Sequence, residues 1–90
     1  MFKTLEEMIG IIRKRKESPV KGSYTNELLK NKKLSIEKVK EEITELIDAV
    51  EKNSNKIHES ADVLYHLMVL LEANGIKVED VMEELKKRQK

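Results

Sequence analysis

The stretch ESADVLYHLMVLLEANG, residues 59 to 75, decides how the chain folds. Leu64, Leu67, Met68, Leu70 and Leu71, with Val63 and Val69, wrap around most of a helix drawn at about 100° per residue. A helix apolar nearly all round belongs in a core. Gly75 stands where a left-handed C-cap closes such a helix. Yet Glu59, Asp62 and His66 share one strip of it, three and four residues apart. Burying a carboxylate costs on the order of several kcal/mol unless it is paired or bound to a cation. The strip therefore needs a partner.

Upstream, the polar triplet NSN at residues 53 to 55 breaks the helical pattern and supplies caps for this central helix. Before it, a helix capped by Ser35 runs to about Lys52, with Ile36, Val39, Ile43, Leu46 or Ile47, and Val50 forming one apolar stripe. Two long helices joined by a short turn predict an antiparallel hairpin, and two hairpins from two chains predict a four-helix bundle. Farther out, a first helix over about residues 3 to 17 puts Leu5, Met8, Ile9 and Ile12 on one face. It stops ahead of Ser18-Pro19, because the residue before proline avoids the α region. The loop SPVKGSY follows; Ser23 or Thr25 caps a short helical piece through Leu28 and Leu29, and NKKL links it to the next helix. A last helix over about 78 to 88 turns Val78, Val81, Met82 and Leu85 inward. No run alternates apolar and polar residues long enough for a strand, so the class is all-α.

Ninety residues make one domain, spanning 1–90, whose core is small enough that a homodimer or higher homo-oligomer is expected to complete it. Eighteen basic and 17 acidic residues leave a net charge of +1, and aromatics are 3% of the chain. That balance argues against a nucleic-acid partner, which selects for clustered basic charge and stacking rings. The tail KKRQK, residues 86 to 90, reads as a helix end favoured by the macrodipole. With no cysteine, disulfide and thiolate chemistry are excluded. No apolar run approaches the roughly 20 residues that cross a bilayer, and MFKTLEEMIGIIRKRKES lacks the pattern of a secretory signal. No membrane partner and a cytoplasmic location are expected.

Glu41, Glu42 and Glu45 fall opposite the apolar stripe of their helix. Taken alone they read as a solvated face balanced by Lys38 and Lys40. In an antiparallel hairpin, however, Glu42 and Glu45 face Glu59 and Asp62, and four carboxylates aimed at one volume are stable only around a cation. Oxygen-only ligands favour Mg²⁺, with Mn²⁺ as a substitute. His66 stays outside the ligand set as a core or hydrogen-bonding histidine. A di-iron site fits poorly: it needs Glu-x-x-His twice, and His66 lies seven residues after Glu59.

The two acidic runs, Glu41-Glu42-Ile43-Thr44-Glu45 and Glu59-Ser60-Ala61-Asp62, resemble the EExxE and ExxD signature of the MazG-like all-α nucleoside triphosphate pyrophosphohydrolases. RKESPVKGSYTNELL from Arg15, KVKEEITE from Lys38, ESADVLYHLMVLL from Glu59 and GIKVEDVMEELKKR from Gly75 narrow the resemblance to the phosphoribosyl-ATP pyrophosphohydrolases, in their stand-alone form. The resemblance implies hydrolysis of phosphoribosyl-ATP to phosphoribosyl-AMP and pyrophosphate, a step of histidine biosynthesis, with Mg²⁺ as cofactor. It implies Glu42, Glu45, Glu59 and Asp62 as metal ligands, and Glu41 as a group behind them or the base for the attacking water. Such a cleavage needs charge neutralisation and an oriented water, not a nucleophilic side chain.

Ser23, Tyr24 and Thr25 match the family's SYT segment and contact phosphate or sugar, or else cap a turn. Lys38 reaches a phosphate or pairs with Glu41 or Glu42. Tyr65 and His66 line the nucleotide pocket or fix the helix pair. One position departs from the pattern: Lys40 stands where the family usually has glycine, which leaves open another nucleoside triphosphate as substrate. A helical dimerisation module with a vestigial acidic cluster is the non-catalytic rival.

Overall fold

A computed structural model describes residues 2–89, in five helices: α1 (Lys3–Glu17), α2 (Tyr24–Lys30), α3 (Lys32–Lys52), α4 (Lys56–Ala73) and α5 (Val78–Arg88). No strand occurs among the described residues, and the fold is all-α. α3 and α4 form the expected antiparallel hairpin and make the most extensive contact in the chain, while α1 and α2 lie against α4. The core joins Ile12 of α1, Leu28 of α2, Met68 and Val69 of α4, and Val78 of α5, with Leu5, Met8, Ile9 and Leu71 packed around them.

The turns follow from local chemistry. Asn53 ends α3 in the left-handed conformation, at φ 55°, a region that asparagine enters more readily than most side chains. Gly75 takes φ 70° after α4, and the Ile76 N–H returns to the Leu71 carbonyl at 2.9 Å, closing the helix as expected.

Three expectations need correction. Ser35 is not a cap, and NKKL is not a linker. Asn31 ends α2 through its own N–H to the Glu27 carbonyl and starts α3 by accepting the Leu34 N–H on its side chain at 3.1 Å. An asparagine oxygen is as good a cap as serine's, and using it lets Ser35 sit buried inside α3. Secondly, the apolar stripe of α3 is partly open to solvent: Ile43, Ile47 and Val50 are 42%, 55% and 58% exposed, while Ile36, Val39 and Leu46 are half-buried. Ser35, Glu42 and Ala49, spaced seven apart, are the buried residues of α3 instead. Two small side chains in that row let the helices approach closely, and the bulkier Ile43, Ile47 and Val50 are left exposed. The third correction is α5: Val78 is buried, but Met82 and Leu85 remain about half exposed.

An ion cluster fastens α5. Arg13 donates from Nε to Glu72 at 2.8 Å and from its two Nη atoms to Glu79 at 2.9 and 2.6 Å, a planar fork used on two carboxylates at once. Glu72 is buried, and its backbone carbonyl accepts from Lys16 Nζ at 2.8 Å. The Arg13 hydrogen bonds hold Glu79 down at about 2, from an ordinary 4.5. A carboxylate depressed in the folded state adds stability above its unfolded pKa, and that stability is lost as pH falls from about 4.5 through about 2. Arg13→Ala removes this acid-side slope and strands the buried Glu72 carboxylate. Stranding the buried Glu72 is expected to cost about 2 kcal/mol at neutral pH, and loss of the solvent-screened Glu79 pair appears only as a flatter acid-side slope, both read from urea unfolding across pH 2 to 7.

Candidate active site

Glu41, Glu42 and Glu45 project from the middle of α3, each offering a carboxylate oxygen within 4.8 Å of the others. Across the hairpin, Glu59 and Asp62 of α4 do the same together with a ring nitrogen of His58. Glu45 links the two groups electrostatically, its carboxylate helping to raise the pKa of both Glu42 and Glu59. The expected carboxylates thus stand in two neighbouring groups, Glu42 and Glu45 on α3 and Glu59 and Asp62 on α4. The relation is closer than the α3 wheel suggested, since Glu42 is buried at 8% exposure rather than on a solvated face.

The electrostatics are unfavourable without a counter-ion. Burial, followed by the Glu45 carboxylate and then Asp62, pushes the Glu42 pKa upward, with His66 opposing. Burial and then Glu45 push Glu59 upward as well. Glu42 Oε2 and Glu59 Oε2 are both shielded from solvent and find no hydrogen-bond partner among the described residues. Buried acceptors almost always have partners. Two orphaned carboxylate oxygens facing further carboxylates fit a bound divalent cation, and an all-oxygen set from Glu42, Glu45, Glu59 and Asp62 fits a hard one.

The other expected residues gather beside this cluster. Tyr24, the first residue of α2, brings its hydroxyl to 3.0 Å from His66 Nε2, and His66 Nδ1 lies 2.9 Å from the Asp62 carbonyl oxygen. A carbonyl only accepts, so the ring proton sits on Nδ1, and in the neutral imidazole Nε2 accepts from Tyr24. His66 is buried with both nitrogens in use, which makes it a strut between α2 and the Asp62 turn rather than a pocket wall. Tyr65 hydrogen-bonds Thr25 and stacks near Tyr24, with ring centroids 6.4 Å apart and planes at 20°. Tyr24 stays 43% exposed; burial raises its pKa, Lys38 lowers it, and Tyr65, Glu42 and Glu41 raise it.

Ser23 caps α2, accepting the Asn26 N–H at 3.3 Å. Lys38 Nζ lies 3.4 Å from Glu41, whose hydrogen bond raises the lysine pKa. Lys40 is exposed, its backbone carbonyl accepting the Thr44 hydroxyl. Sequence reasoning missed His58 and the Thr25–Tyr65 bond. The signal for His58 was its four-residue spacing from Asp62, hidden because a lone surface histidine ordinarily means nothing.

A concavity of about 680 Å³ between α1 and α5, lined by residues such as Leu5, Ile9, Val78 and Met82, holds none of the expected site residues. Glu45 and Glu59 border a shallower depression of about 190 Å³ near the hairpin turn, with Asp48 and Lys52 beside them. Chemistry, not depth, locates the site.

An antiparallel helical hairpin carrying paired acidic runs, with two shielded oxygens unpartnered, defines a class: all-α proteins with a carboxylate cluster between two packed helices. Within that class, the sequence pattern of the family described as phosphoribosyl-ATP pyrophosphohydrolase matches residues 5–89. The phosphoribosyl-ATP pyrophosphatase of Methanococcoides burtonii is 44% identical over 89 residues, covering 93% of this chain and 90% of that protein. That of Bacillus cytotoxicus is 44% identical over 92 residues, covering 98% and 85%. The histidine biosynthesis bifunctional protein HisIE of Pyrococcus furiosus is 48% identical over 87 residues; these are 96% of this chain but only 41% of that larger protein. The chain belongs to the phosphoribosyl-ATP pyrophosphohydrolase family, a family of hydrolases.

Proposed function

We propose that this chain hydrolyses phosphoribosyl-ATP to phosphoribosyl-AMP and pyrophosphate, in histidine biosynthesis and in the cytoplasm, using Mg²⁺ held by Glu42, Glu45, Glu59 and Asp62. The observation that carries the cation is the pair of buried, unpartnered oxygens on Glu42 and Glu59. The family carries the substrate. When bound, the cation supplies charge neutralisation for the phosphoanhydride oxygens. Glu41, exposed at the rim, takes the proton of the attacking water. Lys38, already beside Glu41, turns its ammonium to a phosphate oxygen as the substrate arrives. The half-exposed face of Tyr24, with Ser23 at the α2 cap and Tyr65 and His66 behind it, borders the nucleotide. In this reading Tyr65 and His66 act by holding Tyr24.

Pyrophosphate release from phosphoribosyl-ATP with Mg²⁺, against a panel of other nucleoside triphosphates, tests the substrate. Cleavage of another triphosphate with none of phosphoribosyl-ATP would transfer the assignment to the alternative that Lys40 leaves open.

We also propose that the protein works as a homodimer. Ile43, Ile47 and Val50 of α3 and Ile57 and Leu64 of α4 are all exposed, Ile57 at 88%. Apolar stripes on both helices of a hairpin are what a second hairpin buries in a four-helix bundle. Ile47→Asp places a charge in that seam and is expected to give a monomer by sedimentation where the unaltered chain is a dimer. An unaltered chain that sediments as a monomer at micromolar concentration sinks the dimer.

A further inference from the structure

His58 opens the first full turn of α4 beside the carboxylates but has no role in the reading above, on which this inference rests. Its Nε2 lies 3.3 Å from Asp62 Oδ2, one helical turn on, and the two atoms group with a Glu59 oxygen. As an ion pair alone the contact means little: the His58 side chain is 72% exposed, and solvent screens such pairs. The geometry has a second meaning. Nitrogen and oxygen ligands each about 2.1 Å from one ion, at right angles, stand ~3 Å apart. The observed separation is close to that bite.

The group that His58 joins asks for a cation on independent grounds: Glu59 keeps a solvent-shielded oxygen without a hydrogen-bond partner, and Asp62 of the same group acts electrostatically on Glu42, which at 8% exposure keeps another. Exposure matters too. The imidazole is free to turn toward or away from an ion without disturbing the core.

We propose that His58 Nε2 is a nitrogen ligand to a cation held at Asp62 and Glu59, and that it extends the range of ions the site takes. Carboxylates and water suit Mg²⁺ and Mn²⁺, whereas imidazole suits Co²⁺, Ni²⁺ and Zn²⁺, which stand higher in intrinsic affinity. The chain therefore carries an oxygen-only site for Mg²⁺ and, with His58 turned in, a mixed nitrogen and oxygen site for those ions. His58 is the residue that separates the two.

The test uses the full chain freed of metal, with Co²⁺ and Mg²⁺ as probes and no substrate. Calorimetry gives both affinities, and the visible absorption of Co²⁺ reports its ligand set. His58→Gln, at an exposed position, preserves the fold. It is expected to bind Co²⁺ at least about tenfold more weakly, with a changed visible spectrum and an unchanged Mg²⁺ affinity. An unchanged Co²⁺ affinity and spectrum overturns the role of His58 while leaving the carboxylate site standing. Equal weakening of both ions also overturns it, because the histidine would then act on the fold around Asp62 and not on ion choice. Asp62→Asn is the reference for the carboxylate site and should lose both ions. If the unaltered chain binds neither ion, the cation reading falls and His58 falls with it.

Discussion

Glu42→Gln should lower turnover by about a thousandfold or more and, without divalent cation, raise the denaturation midpoint of the protein. The two effects share one cause. Glu42 is buried, its Oε2 has no partner, and its surroundings raise its pKa through burial, Glu45 and Asp62. In the metal-free protein its charge is a net cost, which an uncharged amide of the same shape removes. With cation bound, the same charge becomes a ligand. A thousandfold loss corresponds to roughly 4 kcal/mol of transition-state stabilisation, within what cation-assisted phosphoanhydride cleavage supplies. Binding to the folded state alone stabilises by about 2.7 kcal/mol at a hundred times the dissociation constant. Saturating Mn²⁺ should therefore raise the unaltered chain above the variant, reversing their order in the presence of chelator. Urea midpoints with and without Mn²⁺, alongside pyrophosphate release, measure it. Should the variant keep its activity, or should Mn²⁺ leave the unaltered chain's midpoint unmoved, Glu42 is no ligand.

How the chain exposed or concealed these features follows from the range of the interactions involved. The hairpin was legible because α4 is apolar nearly all round and a short polar triplet precedes it. That Glu42, Glu45, Glu59 and Asp62 stand in two neighbouring groups follows from three-residue spacing on two antiparallel helices. Which other residues of α3 are buried on the side of Glu42 was not legible. Amphipathicity ranks faces by hydrophobicity, whereas the hairpin chose the face with Ser35 and Ala49, since small side chains allow close approach and α4 already supplies the apolar bulk. The stripe is real, but Ile43, Ile47 and Val50 are left exposed among the described residues, and a helical wheel cannot tell which apolar face the chain itself will cover.

Asn31 shows a similar limit: two potential caps four residues apart, Asn31 and Ser35, are equivalent to propensity, and packing decides between them. Among the aromatic residues, the resemblance brought in Tyr24 through the SYT segment, and spacing tied His66 to the acidic strip. Neither could show that both His66 nitrogens would be engaged within the protein, because Tyr24 is 42 residues away in sequence.

That long-range bond makes α2 the weak link between fold and site, and Leu28→Ala tests it. Leu28 is completely buried and touches the core formed by Ile12, Met68 and Val69. α2 has seven residues, too few to be helical in isolation, so its place depends on tertiary packing, in which Leu28 is its one fully buried side chain, and on the caps at Ser23 and Asn31. Removing a buried leucine side chain costs about 3 kcal/mol. For a chain of this size that is a large share of a total stability of roughly 5–13 kcal/mol. The urea midpoint should fall accordingly, with the slope of the transition unchanged. The functional consequence is more selective. Tyr24 and Thr25 ride on α2 and should lose their bonds to His66 and Tyr65, weakening the nucleotide edge of the site and raising KM. The four carboxylates stand on α3 and α4, which hold each other without α2, so Mn²⁺ affinity should survive in the folded fraction. Loss of Mn²⁺ binding in step with substrate binding would instead mean that α2 supports the whole hairpin, and that the nucleotide and cation edges cannot be separated.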